Sequence, residues 1–224
     1  MIRLVIFDVD GTLIDSEALY IKAAIENCKR NNYNFSYDVL TSIVGRDAKV
    51  SREVITKAGG KGFDYDKYFE DLSKIKKEIG EKEPIELKKG VINILKFCKK
   101  NNLDTAFATS TFKYKQEPIL ERLNVLSYFD FCVYGDEVNN SKPAPDIYLK
   151  VLEHFDYKKD EVIIFEDSIN GILSANSAGV RVVCVPDKVK IPDDILKLTY
   201  RTIVDLDKGI DILKGLLWNH WRIV

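Results

Sequence analysis

The sequence predicts an α/β protein with a parallel sheet, helices on both of its faces and an inserted helical domain. Short runs of apolar, β-branched residues alternate along the chain with amphipathic stretches, which is the pattern of a parallel sheet with helical crossovers. This alternation is interrupted between Asp10 and about Asn102, where only helical patterns occur. A connection between a strand and a helix normally takes a few residues, so an interval of this length predicts a separate unit.

The apolar runs predict five strands, with a sixth and weaker candidate near the C-terminus. The predicted strands are Ile2–Phe7, Asp104–Ala108, Phe131–Tyr134, Val162–Phe165 and Val180–Val185, and the weaker candidate is Thr202–Val204. Between them, apolar residues recur at i, i+3, i+4 and i+7, the spacing of one helix face, as from Val91 to Cys98. After the fourth strand, Ser168 is a suitable N-cap for a helix that Gly179 ends.

The interrupted interval has helical faces of its own. Two of them consist of Ile21, Ala24, Ile25 and Cys28, and of Tyr65, Tyr68, Phe69 and Leu72. We therefore predict a helical domain at 16–80, inserted into a core made of residues 1–15 and 81–224. The linker that returns to the core contains Gly80, Pro84 and Gly90, a composition that suits a hinge. The alternative is that these helices simply cover one face of the sheet.

Composition and charge narrow the class of protein. The chain has 224 residues and a net charge of −1, which gives no support for a nucleic-acid or membrane-surface partner. No apolar run approaches the roughly 20 residues of a membrane-spanning helix, and the N-terminus does not resemble a signal peptide. The four cysteines form no C-x-x-C pair, and His154 and His220 have no second ligand nearby, which disfavours a zinc site. We expect a soluble, cytoplasmic protein, and nothing indicates an obligate protein partner.

Polar residues follow the predicted strands at their carboxyl ends. They are Asp8 and Asp10 after the first strand, Thr109 and Ser110 after the second, Lys142 in the segment after the third, and Glu166 and Asp167 after the fourth. In an open parallel sheet, ligands bind beyond the carboxyl ends of the strands. We therefore expect these side chains to meet in one crevice.

The acidic residues of this set indicate a metal ion. Asp8 and Asp10 lie two positions apart at a strand end, so both carboxylates point to the same side while the backbone is extended. Together with Asp167, they would bring three carboxylates close to a phosphate. At a separation of about 4 Å and an effective dielectric constant of about 20, each like-charge pair costs about 4 kcal/mol. Such a cluster requires cations, and oxygen ligands next to a phosphate favour Mg²⁺.

The remaining residues suit phosphoryl transfer. Lys142 provides a fixed positive charge, while the Thr109 hydroxyl and the Ser110 N–H can donate hydrogen bonds to phosphoryl oxygens. A metal-bound carboxylate is a competent nucleophile toward phosphorus, and Asp10 is placed to protonate the leaving oxygen and later to deprotonate water. The alternatives for this acidic segment are a tight turn or an EF-hand loop. An EF-hand needs a preceding helix and a Glu where this chain has Leu19.

Four segments together resemble the motifs of the haloacid dehalogenase superfamily, in the family's order and over nearly the whole chain. They are DVDGTLIDSE from Asp8, the strand end at Thr109, SKPAPD from Ser141 and FEDSINGI from Phe165. The helical insert is similar to the cap of the branch that contains β-phosphoglucomutase, phosphoglycolate phosphatase and small sugar-phosphate phosphatases. The resemblance therefore implies a Rossmann-like core with a cap domain.

The resemblance also implies a role for each site residue. Asp8 would be the nucleophile and Asp10 the general acid and base, while Thr109 and Lys142 would hold the phosphoryl group. Mg²⁺ would be bound by the Asp8 side chain and the Asp10 main-chain carbonyl. The side chain of Asp167 would complete this ligand set, with assistance from Glu166.

Within this superfamily, the residues favour a phosphatase. Dehalogenases and phosphonate hydrolases generally lack the second aspartate, which is present here as Asp10. β-Phosphoglucomutases usually have a cap histidine where this chain has Tyr20, and a cap arginine where it has Ala48. We expect an Mg²⁺-dependent phosphatase that acts on a small phosphorylated metabolite, such as a sugar phosphate, through an aspartyl-phosphate, with specificity set near Tyr20, Arg46 and Lys49. The alternatives are a β-phosphoglucomutase-like phosphosugar mutase and a non-catalytic binding protein.

Overall fold

The computed structural model describes residues 1–44 and 48–218, which contain a six-stranded parallel sheet. The strands are β1 (Leu4–Phe7), β2 (Asp104–Ala108), β3 (Phe131–Val133), β4 (Val162–Glu166), β5 (Arg181–Cys184) and β6 (Arg201–Thr202). Every predicted strand occurs, with small differences at the ends; β1, for example, begins at Leu4 and not at Ile2. The predicted α/β fold class is confirmed.

Helices connect the strands in the described residues, and five of them lie between β1 and β2. They are α1 (Ser16–Asn31), α2 (Tyr37–Ser42), α3 (Ala48–Gly59), α4 (Tyr65–Lys82), α5 (Val91–Lys100), α6 (Lys113–Arg122), α7 (Asp146–Phe155), α8 (Ile169–Ser177), α9 (Asp193–Leu196) and α10 (Leu206–Trp218). Short 3₁₀ turns lie at Leu126–Tyr128, Gly135–Glu137 and Lys159–Glu161. As predicted, the Ser168 hydroxyl caps α8, where it accepts a 3.0 Å hydrogen bond from the Gly171 N–H.

The strand order places β1 and β4 side by side at the centre of the sheet. The order is β3-β2-β1-β4-β5-β6, and each described pair of neighbours is parallel. Strands β2 and β3 are thus added on one side of β1, and β4, β5 and β6 are added on its other side. This reversal is a topological switch point, beside which ligands of doubly wound sheets bind.

Both faces of the central strands are buried, which is why these strands read as continuous apolar runs. On one face, aliphatic side chains of the sheet form a core with residues of α7 and α8, among them Tyr148 of α7 and Ile172 of α8. On the other face lie aromatic rings: Phe7 stacks on Phe165 with 5.4 Å between centroids. A side chain at Gly209 of α10 would lie 2.7 Å from Phe165, so this glycine lets α10 approach the sheet closely.

The chain forms two compact units. Unit 1 consists of Met1–Ile14 and the chain from Leu87 onward, and unit 2 is Asp15–Glu86. Unit 2 contains α1 to α4 around its own hydrophobic core, in which Leu72 and Ile75 are buried. We predicted the end of this unit at residue 80, but α4 continues through Gly80 to Lys82. The favourable packing of α4 outweighs the roughly 1 kcal/mol by which a glycine disfavours a helix interior.

Other sequence expectations concern isolated side chains. The four cysteines are free, and Cys28, Cys98 and Cys184 are buried. The His154 ring stacks on Phe131 with 3.8 Å between centroids. Arg46 and His220 lie outside the described residues. A helix with the length and apolar character needed to span a membrane is absent from the part of the chain that the structure describes.

Candidate active site

Backbone hydrogen bonds fix the polar residues that follow the central strands. The Asp8 N–H donates to the Phe165 carbonyl at 2.9 Å, and the Thr109 N–H donates to the Val133 carbonyl at 3.0 Å. The sheet ladder therefore continues to the first polar residue after β1 and β2. Since the strands are parallel, the side chains that follow them emerge at the same edge of the sheet, as the sequence predicted.

Lys142 joins the ends of three strands. Its ammonium group donates to Asp8 Oδ1 at 2.5 Å, to Glu166 Oε1 at 2.7 Å and to the Ala108 carbonyl at 3.1 Å. The side chains of the lysine and both acids are at least nine-tenths buried. Burial by itself would lower the pKa of Lys142, but the attraction of the two carboxylates outweighs it and raises the pKa well above its ordinary value. The lysine is therefore a permanent positive charge beside Asp8.

Glu166 is held by donors on both of its oxygens. Besides the lysine, Oε1 accepts from the Tyr148 hydroxyl at 2.8 Å. Oε2 accepts from the Asp167 N–H at 3.0 Å, and from the N–H and the hydroxyl of Ser168 at 3.1 Å each. A side chain at Gly171 would lie 1.7 Å from Oε1, so the carboxylate fits only beside glycine. The resemblance implies that Glu166 assists the metal ligands; in the structure its carboxylate lies in one group of oxygens with Asp8 and Asp167, and both of its oxygens also accept from protein donors.

Asp167 packs against the turn that follows β1. Its Oδ1 accepts a 3.2 Å hydrogen bond from the Thr12 hydroxyl. Gly11 has a φ of +86°, and a side chain there would lie 2.1 Å from Asp167 Oδ2. Glycine is therefore required at this position both for the backbone conformation and for the close approach of the carboxylate.

Asp10 is oriented by two threonines. Its Oδ2 accepts from the Thr109 hydroxyl at 3.2 Å and from the Thr111 hydroxyl at 2.8 Å. The Thr111 N–H in turn donates to the Thr109 hydroxyl at 3.0 Å. Sequence reasoning named Thr109 and the exposed Ser110 but missed Thr111, although its spacing of two from Thr109 could have indicated it.

The charges of the site fit a divalent cation. One oxygen each of Asp8, Glu166 and Asp167 lies within 4.8 Å of the others, and all three residues are buried. Burial and the neighbouring Glu166 charge raise the pKa of Asp8 well above its usual range, although Lys142 opposes this shift. One lysine thus leaves the cluster with excess negative charge. An all-oxygen donor set of this kind suits a hard divalent ion.

The predicted specificity residues belong to unit 2. Tyr20 is half-buried and packs against the core of that unit, and burial raises the pKa of its phenol to about 12. Lys49 is exposed near the start of α3. Arg46, as noted, lies outside the described residues.

Comparison with known proteins identifies the family of this chain. The family model described as haloacid dehalogenase-like hydrolase matches residues 5–185 of the 224. The chain belongs to this family. The resemblance inferred from the four motifs is therefore confirmed, and the matched span includes every site residue that follows β1, β2, β3 and β4.

Individual members of the haloacid dehalogenase-like hydrolases match nearly all of the chain. A phosphorylated carbohydrates phosphatase of Thermotoga maritima is 31% identical over 220 residues, covering 95% of this chain and 99% of that protein. A (DL)-glycerol-3-phosphatase of Arabidopsis thaliana is 29% identical over 82% of this chain and 79% of its own length. A crystal structure from Thermotoga maritima, assigned as a candidate beta-phosphoglucomutase, is 29% identical with a TM-score of 0.79, covering 96% of this chain and 99% of that one.

Proposed function

We propose that this haloacid dehalogenase-like hydrolase is an Mg²⁺-dependent phosphatase that acts on a small sugar phosphate through an aspartyl-phosphate on Asp8. The observation that carries the proposal is the surroundings of Asp8. This buried carboxylate follows the central strand, with the Lys142 ammonium at 2.5 Å and Asp167 in the same group of oxygens within 4.8 Å. The similarity to a phosphorylated carbohydrates phosphatase and to a glycerol-3-phosphatase supports the substrate class.

The binding residues would neutralise and orient the phosphoryl group. Lys142 would supply a fixed positive charge, and the Thr109 hydroxyl and the Ser110 N–H would donate to phosphoryl oxygens. Asp8, Asp167 and the Asp10 main-chain carbonyl would hold Mg²⁺, which adds positive charge beside the phosphoryl oxygens. Glu166, with both oxygens bonded to protein donors, would hold Lys142 in place and would not be a principal metal ligand.

The chemistry would then proceed in two displacements at phosphorus. An Asp8 oxygen forms a bond to phosphorus as the bond to the sugar oxygen breaks, and Asp10 donates a proton to that oxygen. In the second step, Asp10 takes a proton from water, whose oxygen bonds to phosphorus while the bond to Asp8 breaks and phosphate leaves. With the Thr109 hydroxyl turned to the phosphoryl group, the 2.8 Å hydrogen bond from the Thr111 hydroxyl would keep the Asp10 carboxyl directed at the site of proton transfer.

Unit 2 would act as the cap that selects the substrate. Tyr20, Arg46 and Lys49 remain our proposed specificity residues in this unit. The free cysteines suit a reducing compartment, and we propose the cytoplasm as the site of action.

The proposal is tested by phosphate release from a panel of phosphorylated metabolites with Mg²⁺. Activity should vanish on chelation, and Asp8→Asn should lower turnover by about 10⁴-fold or more. The matched control is Asp211→Asn, the same change at an exposed aspartate of unit 1, which should leave turnover intact. Appreciable turnover by Asp8→Asn would refute covalent catalysis through Asp8.

A phosphosugar mutase is the second candidate, because the similar Thermotoga maritima structure is assigned as a candidate beta-phosphoglucomutase. The first half-reaction would be the same, with a sugar hydroxyl replacing water in the second. Incubation of glucose 1-phosphate with a catalytic amount of the sugar bisphosphate separates the two functions. Isomerisation without phosphate release would identify a mutase, and phosphate release without isomerisation a phosphatase.

A further inference from the structure

An ion pair outside the acidic cluster joins two loops at the same edge of the sheet. Lys88 lies where the chain re-enters unit 1, and its ammonium group donates to Oδ1 of Asp187, in the loop after β5. The Asp187 side chain is only 6% exposed and that of Lys88 22%, so this is not an ordinary surface pair. Asp187 Oδ2 is buried with no hydrogen-bond partner in the described chain, and Lys188 lies 3.5 Å from Oδ1. Lys88 is therefore the main compensation for a buried carboxylate.

Lys88 is also bonded to the turn that carries Asp10. Its N–H donates to the Leu13 carbonyl at 2.9 Å, and the preceding residue, Leu87, forms an antiparallel bridge with Ile14. Ile14 in turn accepts a 2.9 Å hydrogen bond from the Gly11 N–H. The backbone of residues 87 and 88 is thus paired with the Asp10–Ile14 turn.

Asp187 is connected to the opposite side of the same site. The β5 strand pairs with β4, and the Val185 N–H donates to the Glu166 carbonyl at 2.7 Å. Because β4 lies between β1 and β5, the ion pair spans the strand end that carries Asp167. The turn, Lys88, Asp187, β5 and β4 are thus linked one to the next, and the hydrogen bond from Thr12 to Asp167, the residue after β4, closes this circuit.

We propose that Lys88 and Asp187 are a positioning pair that holds the Asp10–Ile14 turn against Asp167 and thereby sets the affinity of the acidic site for a divalent cation. The inference rests on the proposed function, since it takes the acidic cluster as the metal site. In this role the pair fixes the loops on which the metal ligands lie and does not itself bind the metal or the phosphoryl group. Replacing residues that orient metal ligands typically lowers metal affinity by about 10–100-fold. Because this pair acts on the ligands indirectly, we expect an effect at the lower end of that range.

The test is the binding of Mn²⁺ to the full chain, with free Mn²⁺ counted by electron paramagnetic resonance. Lys88→Met and Asp187→Asn should each weaken binding by about tenfold. The two variants change the net charge in opposite directions, so a purely electrostatic effect would strengthen binding in Lys88→Met and weaken it in Asp187→Asn. Equal weakening in both supports positioning; opposite signs, or no change, overturn it.

Three further variants complete the experiment. Lys89→Met breaks the neighbouring exposed pair with Asp205 and should leave Mn²⁺ affinity unchanged, as should Lys88→Arg, which retains the charge and the donor. If Lys88→Met does not fold, as judged by circular dichroism, Lys88→Gln replaces it with the same expectation. Equal weakening in Lys89→Met and Lys88→Met would overturn the proposal.

Asp167→Asn separates the two levels of inference. If Asp167→Asn loses Mn²⁺ binding while the Lys88 and Asp187 variants retain it, the positioning proposal is wrong and the metal site stands. If Asp167→Asn binds Mn²⁺ like the parent, the proposed metal site itself is wrong. Steady-state kinetics of the Lys88 and Asp187 variants gives a second readout. We expect a higher Mg²⁺ concentration at half-saturation, with turnover restored at high Mg²⁺. Lowered turnover at saturating Mg²⁺ would overturn the positioning proposal.

Discussion

The charge balance around Asp8 predicts that its neutralisation will abolish activity without destabilising the fold. Asp8→Asn keeps the shape of the side chain and removes one charge from the buried cluster. Lys142 then remains paired with Glu166 at 2.7 Å, one cation to one anion. We expect the free energy of unfolding, measured without divalent cations, to stay the same or to rise.

The magnitude follows from the distances in the site. At an effective dielectric constant of about 20, the 2.5 Å contact with Lys142 is worth about 7 kcal/mol of attraction. Glu166 and Asp167 each have an oxygen within 4.8 Å of Asp8, so each repels it by about 3.5 kcal/mol or more. The two repulsions cancel the attraction, and the cost of burying the Asp8 charge then decides the sign. Because Lys142 keeps Glu166 as its partner, we expect Asp8→Asn to be neutral or stabilising, within the range of about 1–4 kcal/mol that applies when a buried ion pair is replaced by neutral residues.

Urea denaturation in EDTA measures the difference in unfolding free energy between Asp8→Asn and the parent. The matched variant with the opposite expected effect is Lys142→Met. Removing the lysine leaves Asp8 and Glu166 buried without their common partner, which should cost about 3–5 kcal/mol and lower Tm by about 6–20 °C. Lys89→Met, at an exposed ion pair, should leave the unfolding midpoint essentially unchanged. If Asp8→Asn were destabilised as strongly as Lys142→Met, the reasoning about excess negative charge would be refuted.

Further predictions concern proton transfer, the anchoring of Glu166, and pH. Asp10→Ala should lower kcat, measured with Mg²⁺, by roughly 10²–10⁴-fold. Thr111→Val removes one 2.8 Å hydrogen bond to Asp10 and should lower kcat by about tenfold. Tyr148→Phe removes a buried donor to Glu166 and should lower the unfolding free energy by about 1.5–3 kcal/mol in urea titrations; no change would contradict the anchoring role. Because the pKa of Asp8 is raised above 3.8, the metal-free folded protein retains a proton that the unfolded chain releases. Without divalent cations, stability should therefore fall as pH rises from 3.8 through the raised pKa. Mg²⁺ should offset this fall, and Asp8→Asn should remove the slope.

The sequence predicted those parts of the site that depend on strand ends. Buried strands of a parallel sheet produce apolar runs, so the positions of Asp8, Thr109 and Asp167 followed directly from where each run stops. The partners of Glu166 could not be predicted in this way. Tyr148 falls on the apolar face of a predicted helix, and only the packing of that helix on the sheet decides that its hydroxyl reaches Glu166.

The end of unit 2 shows a different limit. Gly80 belongs to the segment interpreted as a hinge, because glycine is unfavourable inside a helix. A side chain at Gly80 would lie 3.4 Å from Leu19, which is an ordinary contact, so the position does not require glycine. Local residue preference was therefore a poor guide to the end of α4, which packs against α1 and extends to Lys82.

The central position of β4 explains why the site can bury so much charge. Glu166 and Asp167 are consecutive and point to different partners: the first bonds inward to Lys142 and Tyr148, and the second contacts the turn after β1. The negative charge of Glu166 therefore neutralises part of the positive charge of Lys142. Its Oε2 also accepts hydrogen bonds from the N–H groups of Asp167 and Ser168, just before α8. Without the Glu166 charge, Lys142 and Asp8 would form a neutral pair, and the excess negative charge of the group Asp8, Glu166, Asp167 and Lys142 would fall by one unit, which weakens the attraction for a divalent ion. On this argument, Glu166→Gln should weaken Mn²⁺ binding even though neither Glu166 oxygen is free of a protein donor. Unchanged Mn²⁺ affinity in Glu166→Gln, with the unfolding midpoint preserved, would contradict it.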